Sequence, residues 1–84
     1  MKPARKWNFK TRKYVPIEIP DTCKTYSDDM DEIITCPICN KSLKFGDGYT
    51  SRTIHTGFGI GYTVCNTCYE AEYREERKYE NNIY

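Results

Sequence analysis

The stretch that decides the fold is residues 64–80, VCNTCYEAEYREERKYE, in which two cysteines precede a helical pattern. Residues 69–80 are rich in good helix formers, and Glu70 precedes Arg74 by four positions, a favourable spacing for opposite charges on a helix. Thr67 precedes Glu70 by three positions, which is the spacing of a capping box. The sequence therefore predicts a helix over residues 69–80 with Thr67 as its N-cap.

The cysteines of this stretch, Cys65 and Cys68, lie at the predicted helix N-terminus. Free amides and the positive end of the helix dipole favour the thiolate there, which is the form that binds metals. A second pair, Cys36 and Cys39, belongs to TCPICNKSLKFGDG, where Asn40 tolerates the left-handed backbone that a tight metal-binding turn often needs. Four thiolates complete a closed tetrahedral shell, so the sequence predicts one structural Zn²⁺, with mononuclear iron as the alternative metal.

The segment between the two cysteine pairs predicts a β-hairpin over about residues 48–65. YTSRTIH is rich in β-branched and aromatic residues, TGFGIG supplies three glycines for a turn, and YTVC resumes the strand pattern. The second strand would deliver Cys65 to the start of the helix. Phe58 and Ile60, at the hairpin tip, are expected to fold back on the core rather than to contact a partner.

These features together resemble a known architecture. CPICNKSLKF, followed by a hairpin and VCNTCYEAEY, resembles a treble-clef zinc finger over residues 36–80. The resemblance implies that Cys36 and Cys39 come from a zinc knuckle, while Cys65 and Cys68 come from the hairpin end and the first helical turn. A two-knuckle zinc ribbon is the alternative, but its second pair would normally lie in another hairpin. The resemblance implies a fold and not one function, since treble clefs occur in nucleases, ribosomal proteins, transcription factors and protein adaptors.

The expected fold class is a small α+β, zinc-stabilised treble clef of knuckle, β-hairpin and C-terminal α-helix, with an N-terminal basic extended arm. Residues 1–20 are expected to form this basic aromatic arm and a short edge strand, residues 21–35 an acidic linker, and residues 36–84 the four-cysteine zinc-binding domain. The edge strand is predicted at IEI because two prolines, Pro16 and Pro20, flank it and lack the amide donor.

The N-terminal arm is the best indication of a binding function. Residues 1–15 contain six lysines and arginines and no acid, with Trp7, Phe9 and Tyr14 between them, although the whole chain has a net charge of only +1. Cations of this kind neutralise phosphates, while aromatic rings stack on unpaired bases. A solvated terminus, or an arm whose aromatics close the core, is the alternative interpretation. The candidate contacts to nucleic acid or to a protein partner are Lys6, Trp7, Phe9, Lys10, Arg12 and Lys13.

A non-enzymatic role is predicted from the ligand set, since a catalytic zinc keeps one position open and four thiolates leave none. The chain is expected to be an interaction module that binds nucleic acid or a protein of the nucleic-acid machinery, with no small-molecule substrate. The alternative is an HNH-like nuclease or nuclease remnant, in which His55, the single histidine, would be the general base. The sequence lacks the Asp-His pair and the second helical histidine that such enzymes show.

Size and cysteine content bear on the metal and on the compartment. A chain of 84 residues is one small domain with a limited core, so a metal would add stability. Five cysteines, an odd number, favour metal binding over a disulfide framework. Cys23, the spare one, is expected to be a small buried apolar group rather than a replacement ligand or a redox handle. No apolar run is long enough to cross a membrane and no leader is evident, so a cytoplasmic location is expected.

Overall fold

The computed structural model describes the backbone of residues 1–81 and the side chains of residues 1–79. This part of the chain forms two hairpins that share one sheet, a smaller third hairpin, and a C-terminal helix. In chain order the elements are β1 (Lys2–Asn8), β2 (Lys13–Ile19), β3 (Ile33–Thr35), β4 (Ser42–Lys44), β5 (Tyr49–His55), β6 (Gly61–Val64) and α1 (Asn66–Asn81), with a short 3-10 turn at Phe45–Asp47.

The strands form two antiparallel sheets. The larger sheet has the order β2-β1-β5-β6, and the smaller one pairs β3 with β4. Together with one C-terminal helix they make a small α+β fold, as the sequence predicts. The strand β5 spans the segment YTSRTIH, whose β-branched and aromatic side chains favour a strand. The hairpin predicted over residues 48–65 is confirmed, since β6 returns along β5 and ends just before Cys65.

The N-terminal segment is a β-hairpin, so the prediction of an extended arm is wrong. β1 and β2 pair along their whole length, and Asn8 faces Lys13 at the closed end of the hairpin. β1 also pairs with β5 through Arg5 and His55, so it lies inside the larger sheet. The local sequence conceals this pairing because Arg5 and His55 lie 50 positions apart, and because lysine and proline are depleted in strands.

β2 is the edge strand of the larger sheet, as the flanking prolines predict. It begins at Lys13, earlier than the predicted IEI segment, and runs through Pro16. An edge position suits Pro16 because proline has no amide proton to give to a further strand. The expected boundaries between segments, at residues 20 and 35, stay predictions.

The core is small and lies against one face of the larger sheet. Cys23 has no solvent exposure, and burial is the main cause that raises the pKa of its thiol. The prediction that Cys23 is a small buried apolar group is therefore confirmed. The buried core residues are Ala4, Ile19, Cys23, Ile54 and Tyr62, with Ile17 packed against them.

The helix α1 is anchored to β5 by a buried carboxylate. Glu72 is only 6% exposed, and its Oε2 accepts hydrogen bonds from Ser51 Oγ at 2.7 Å, from the Thr53 amide at 3.1 Å and from the Thr53 hydroxyl. Its Oε1 accepts a hydrogen bond from the Arg52 amide at 3.2 Å. The pairing of β5 with β6 is irregular over this stretch. The Glu72 carboxylate therefore accepts hydrogen bonds from β5 amides that would donate to β6 carbonyls in a regular strand pair.

Two further contacts join α1 to β5. The Arg52 guanidinium donates to Glu76 Oε1 at 2.7 Å. The rings of Tyr69 and Tyr49 stack with their centroids 5.0 Å apart. The inner face of the helix is thus held mainly by polar and aromatic contacts rather than by an aliphatic stripe. Within residues 1–81, no helix combines the length and the apolar content that crossing a membrane requires.

Candidate metal centre

The first cysteine pair lies in the turn between β3 and β4. The Cys36 amide donates to the Lys41 carbonyl at 2.9 Å, and the Asn40 amide donates to the Cys36 carbonyl at the same distance. Asn40 has a φ of 63°, in the left-handed region. This confirms the prediction that Asn40 closes a tight turn, and the turn brings the thiols of Cys36 and Cys39 together.

The second cysteine pair lies where β6 ends and α1 begins. The Tyr69 amide donates to the Cys65 carbonyl at 2.9 Å, which places Cys65 at the N-cap position and Cys68 in the first helical turn. The predicted N-cap at Thr67 is therefore wrong by two residues. The helix begins at Asn66, directly after Cys65. Because positions three apart lie on the same side of a helix, the Cys68 thiol lies near the Cys65 thiol.

The four thiols converge on one point. The Sγ atoms of Cys36, Cys39, Cys65 and Cys68 all lie within 4.8 Å of one another. The Sγ atoms of Cys39 and Cys65 are 3.7 Å apart. Zn–S bonds of about 2.3 Å in a regular tetrahedron would separate the sulfurs by about 3.8 Å. The four cysteines could therefore hold one metal ion, with only a small contraction of the longer sulfur–sulfur distances.

The four thiols differ in solvent exposure and in the direction of their pKa shifts. Cys36 is fully buried, Cys39 is exposed, and Cys65 and Cys68 are half-buried. Burial is the main cause that raises the pKa of Cys36 and of Cys68. Burial acts in the same direction on Cys39, but the Lys41 amide and the three neighbouring thiols outweigh it and lower the pKa of Cys39 to about 7. Four thiols that crowd together in this way suit a cation, which would replace their protons and neutralise the charge of the thiolates.

The residues predicted to contact a partner lie in the β1–β2 hairpin, apart from the cysteines. Four of them are exposed cations: Lys6, Lys10, Arg12 and Lys13. Trp7 and Phe9 are half-buried, and the Trp7 ring meets the Tyr14 ring edge-on with centroids 4.9 Å apart. The hairpin, rather than a flexible arm, therefore presents this basic and aromatic set.

The turn of this hairpin is held by its own hydrogen bonds. Asn8 Oδ1 accepts hydrogen bonds from the amides of Lys10, at 2.9 Å, and of Thr11, at 3.2 Å. The Arg12 amide donates to the Asn8 carbonyl at 2.8 Å, and Arg12 has a φ of 57°. Lys10 and Arg12 thus project from a defined backbone, which costs less ordering entropy on binding than a disordered arm would.

His55 lies at the end of β5 that is remote from the cysteines. Tyr49, at the other end of this strand, pairs with Val64, which precedes Cys65. A strand of seven residues spans about 20 Å. His55 Nδ1 is 2.9 Å from the Tyr14 hydroxyl, and burial is the main cause that lowers the pKa of His55. Within the described residues, the four cysteines are the one group of three or more potential metal ligands, and His55 is not part of it.

The tip of the β5–β6 hairpin exposes its apolar side chains, contrary to the prediction. Phe58 is 94% exposed, and Ile60 is also exposed. The amides of both residues donate to Thr56 Oγ1, at 3.1 and 3.2 Å, and Gly59 adopts a φ of 86° that suits glycine. The tight turn satisfies its own backbone and thereby holds both side chains away from the core.

No family model, no curated protein and no solved structure matches this chain. The two C-x-x-C pairs identify all four cysteines of the cluster. The sequence assigns no role to Glu72, gives Arg5 only as one of the six cations of the basic arm, and does not place Tyr14 beside His55.

Proposed function

We propose that the chain is a non-enzymatic binding module built around one structural Zn²⁺ ion with the topology of a treble clef. The observation that supports this topology is the origin of the four thiols. Cys36 and Cys39 come from the turn of the small β3–β4 hairpin, Cys65 follows β6, and Cys68 lies in the first turn of α1. Four thiolates suit zinc best, with mononuclear iron in the same geometry as the alternative metal.

The metal would join parts of the molecule that are otherwise weakly connected. The β3–β4 hairpin forms a sheet of its own, separate from the sheet that contains β5 and β6. Its buried aliphatic contribution is small, since Ile34 is the one fully buried aliphatic side chain among its described residues. A Zn²⁺ ion held by both cysteine pairs would fix this hairpin against α1 and supply folding free energy that the small core lacks.

We propose that the ligand of this module is nucleic acid and that the β1–β2 hairpin binds it. The supporting observation is a set of exposed cations, Lys6, Lys10, Arg12 and Lys13, none of which forms an ion pair with another described residue. Cations without acidic partners at one end of a rigid hairpin create the positive potential that attracts phosphates. A protein of the nucleic-acid machinery is the alternative partner.

The β1–β2 hairpin contains one acidic residue, Glu18, at the end away from its turn, and the other acidic residues lie outside the hairpin. Asp31 pairs with Lys44, and the Glu32 carboxylate is bonded by Lys24 and Ser27, the main causes that lower its pKa. These contacts belong to the segment between β2 and β4. Charge is thus separated along the molecule, with a basic hairpin and an acidic loop.

The nuclease alternative with His55 as general base gains no support from this arrangement. Such an enzyme needs metal ligands grouped with the histidine, whereas His55 belongs to no group of three or more potential ligands among the described residues. We therefore propose a binding role and not a catalytic one.

Binding of a labelled oligonucleotide, measured by fluorescence anisotropy over a range of salt concentrations, tests the proposal. Replacement of Lys10, Arg12 and Lys13 by glutamine is expected to weaken binding and to reduce the slope of log K against log salt by about 2 to 3. The matched control replaces three exposed cations elsewhere, Lys41, Arg74 and Lys78, by glutamine and should retain the slope. An equal loss in the control, or binding by the wild type that is insensitive to salt, would contradict the proposal.

A further inference from the structure

One face of the larger sheet carries a contiguous row of aromatic and cationic side chains. Arg5 is registered opposite His55, and Trp7 is registered opposite Tyr14, so that all four side chains lie on the same face. We call this set, Arg5, Trp7, Tyr14 and His55, the aromatic face. Ala4, which alternates with Arg5 along β1, points to the opposite face and belongs to the core.

The side chains of the aromatic face contact one another. The Tyr14 ring lies edge-on to both Trp7, at 4.9 Å between centroids, and His55, at 5.7 Å. The Arg5 guanidinium lies 3.9 Å from the centre of the Tyr14 ring, and Arg5 Nε donates to the Thr56 carbonyl at 3.0 Å. These contacts restrict the rotamers of the four side chains, so binding of a ligand would cost little further side-chain entropy.

The aromatic face is not part of the core, and its side chains are partly exposed to solvent. Tyr14 is 37% exposed, and Arg5, Trp7 and His55 are partly exposed. None of the four belongs to the buried cluster formed by the described residues. Large aromatic side chains that are neither buried nor dispersed mark a contact surface rather than a packing element.

The charge around the aromatic face selects the chemistry of its ligand. The exposed cations Lys10 and Arg12 lie in the turn that follows the Trp7–Tyr14 pair, whereas Lys6 and Lys13 lie on the opposite face of the hairpin. The hairpin contains one acidic residue, Glu18, at its open end opposite Pro3. A complementary ligand must therefore combine repeated negative charge with flat apolar groups. Single-stranded nucleic acid offers both, whereas a duplex keeps its bases stacked on one another and offers mainly phosphates.

We infer that the aromatic face binds unpaired bases, so that the nucleic acid bound by this protein is single-stranded. This inference rests on the proposed nucleic-acid function and adds a ligand class and two residues, Arg5 and His55, that the cations alone do not indicate. In this arrangement the cations of the hairpin turn hold the phosphate backbone, while the ring of Trp7 or Tyr14 stacks on a base. Arg5 supports the Tyr14 ring through its cation–π contact.

Intrinsic fluorescence provides a direct test because Trp7 is the single tryptophan of the chain. The 84-residue chain, purified with zinc, is titrated at low salt with an oligo(dT) strand of about 12 nucleotides, a length within the usual site sizes. A duplex of the same length is titrated in parallel. We expect the single strand to quench Trp7 fluorescence and to bind more tightly than the duplex.

Two substitutions separate stacking from charge. Trp7→Leu is expected to weaken binding of the single strand about tenfold or more, measured by anisotropy of a labelled strand, and to leave duplex binding almost unchanged. Tyr14→Phe keeps the ring and should retain most of the affinity. The matched control is Tyr26→Leu, which removes an exposed aromatic ring from the acidic loop and should have no effect.

The two titrations test the inference and the proposed function separately. Equal affinity for strand and duplex, without a change in Trp7 fluorescence, would overturn the inference and leave the proposed electrostatic function in place. Absence of binding to either oligonucleotide at low salt would overturn the proposed function, and the inference with it. The fluorescence of the wild-type protein decides between these outcomes even if a Trp7 variant fails to fold.

Discussion

The Glu72 carboxylate on α1 accepts a hydrogen bond from the backbone amide of Thr53 at 3.1 Å. A side chain of the helix thus replaces a strand acceptor where the pairing of β5 with β6 is irregular. The same carboxylate accepts hydrogen bonds from the hydroxyls of Ser51 and Thr53. A buried carboxylate is favourable only when its oxygens are satisfied in this way. Among the contacts that hold the helix on the sheet, Glu72 is therefore the buried one.

Glu72→Ala is expected to lower the free energy of unfolding of the zinc-bound protein by about 3 kcal/mol, because it leaves buried amides and hydroxyls without an acceptor. Urea unfolding followed by circular dichroism measures this loss. Glu75→Ala removes an exposed carboxylate from the same helix and should cost less than about 0.5 kcal/mol. Equal losses in the two variants would show that Glu72 does not anchor α1.

The backbone at Asn40 gives a second stability prediction. Its φ of 63° is strained for residues with a β-carbon other than asparagine and aspartate, and glycine adopts it freely. Asn40→Ala is expected to lower the free energy of unfolding by about 1 kcal/mol, whereas Asn40→Gly should be neutral or slightly stabilising. Thermal unfolding at a fixed zinc concentration compares the two variants. A more stable alanine variant would contradict the left-handed turn.

The lowered pKa of His55 predicts the sign of a pH dependence. Burial disfavours the charged ring in the folded protein, so the unfolded chain binds a proton more readily as the pH falls through about 6.5. The contribution of His55 to stability is therefore present above that pH and is lost below it. Since the chain has one histidine, an NMR titration of its ring protons gives the folded pKa without ambiguity. A value at or above 6.5 would contradict the partly buried contact with Tyr14.

The cysteines allow a matched comparison between ligand and core. Cys36→Ser is expected to abolish stoichiometric zinc binding and to unfold much of the β3–β4 hairpin, because three thiolates hold structural zinc far less well than four. Cys23→Ala removes a buried thiol from the core and should keep one zinc per chain, with a loss of stability of about 1 to 2 kcal/mol. Elemental analysis and circular dichroism measure both. Retention of zinc by the Cys36 variant would contradict its role as a ligand.

Local sequence was sufficient wherever a short segment determines its own structure. The residues YTSRTIH form β5 with the predicted bounds, and Asn40 closes the turn after Cys36 as its side chain permits. The two C-x-x-C pairs identify the four thiols that converge, because each motif places two sulfurs on one turn.

The sequence did not predict the pairing of strands that lie far apart in the chain, nor the burial of a charged side chain. The partner of Arg5 is His55, and no local pattern links residues so far apart, so a strand inside the sheet looked like a basic arm. In the sequence, Glu72 is indistinguishable from a solvated glutamate on a helix. Its role depends on the irregular pairing of β5, which leaves amide donors for it to accept from. Phe58 was expected in the core by its apolarity, whereas the hydrogen bonds of Thr56 hold the turn outward.

The central claim is that the sulfurs of Cys36, Cys39, Cys65 and Cys68 bind one metal ion and so join the β3–β4 hairpin to the start of α1. X-ray absorption spectroscopy of the purified protein tests it most directly. We predict a zinc edge, one zinc per chain, and a first shell of four sulfur atoms at about 2.3 Å. A first shell that contains nitrogen or oxygen ligands, or a protein that folds without any stoichiometric metal, would contradict the account.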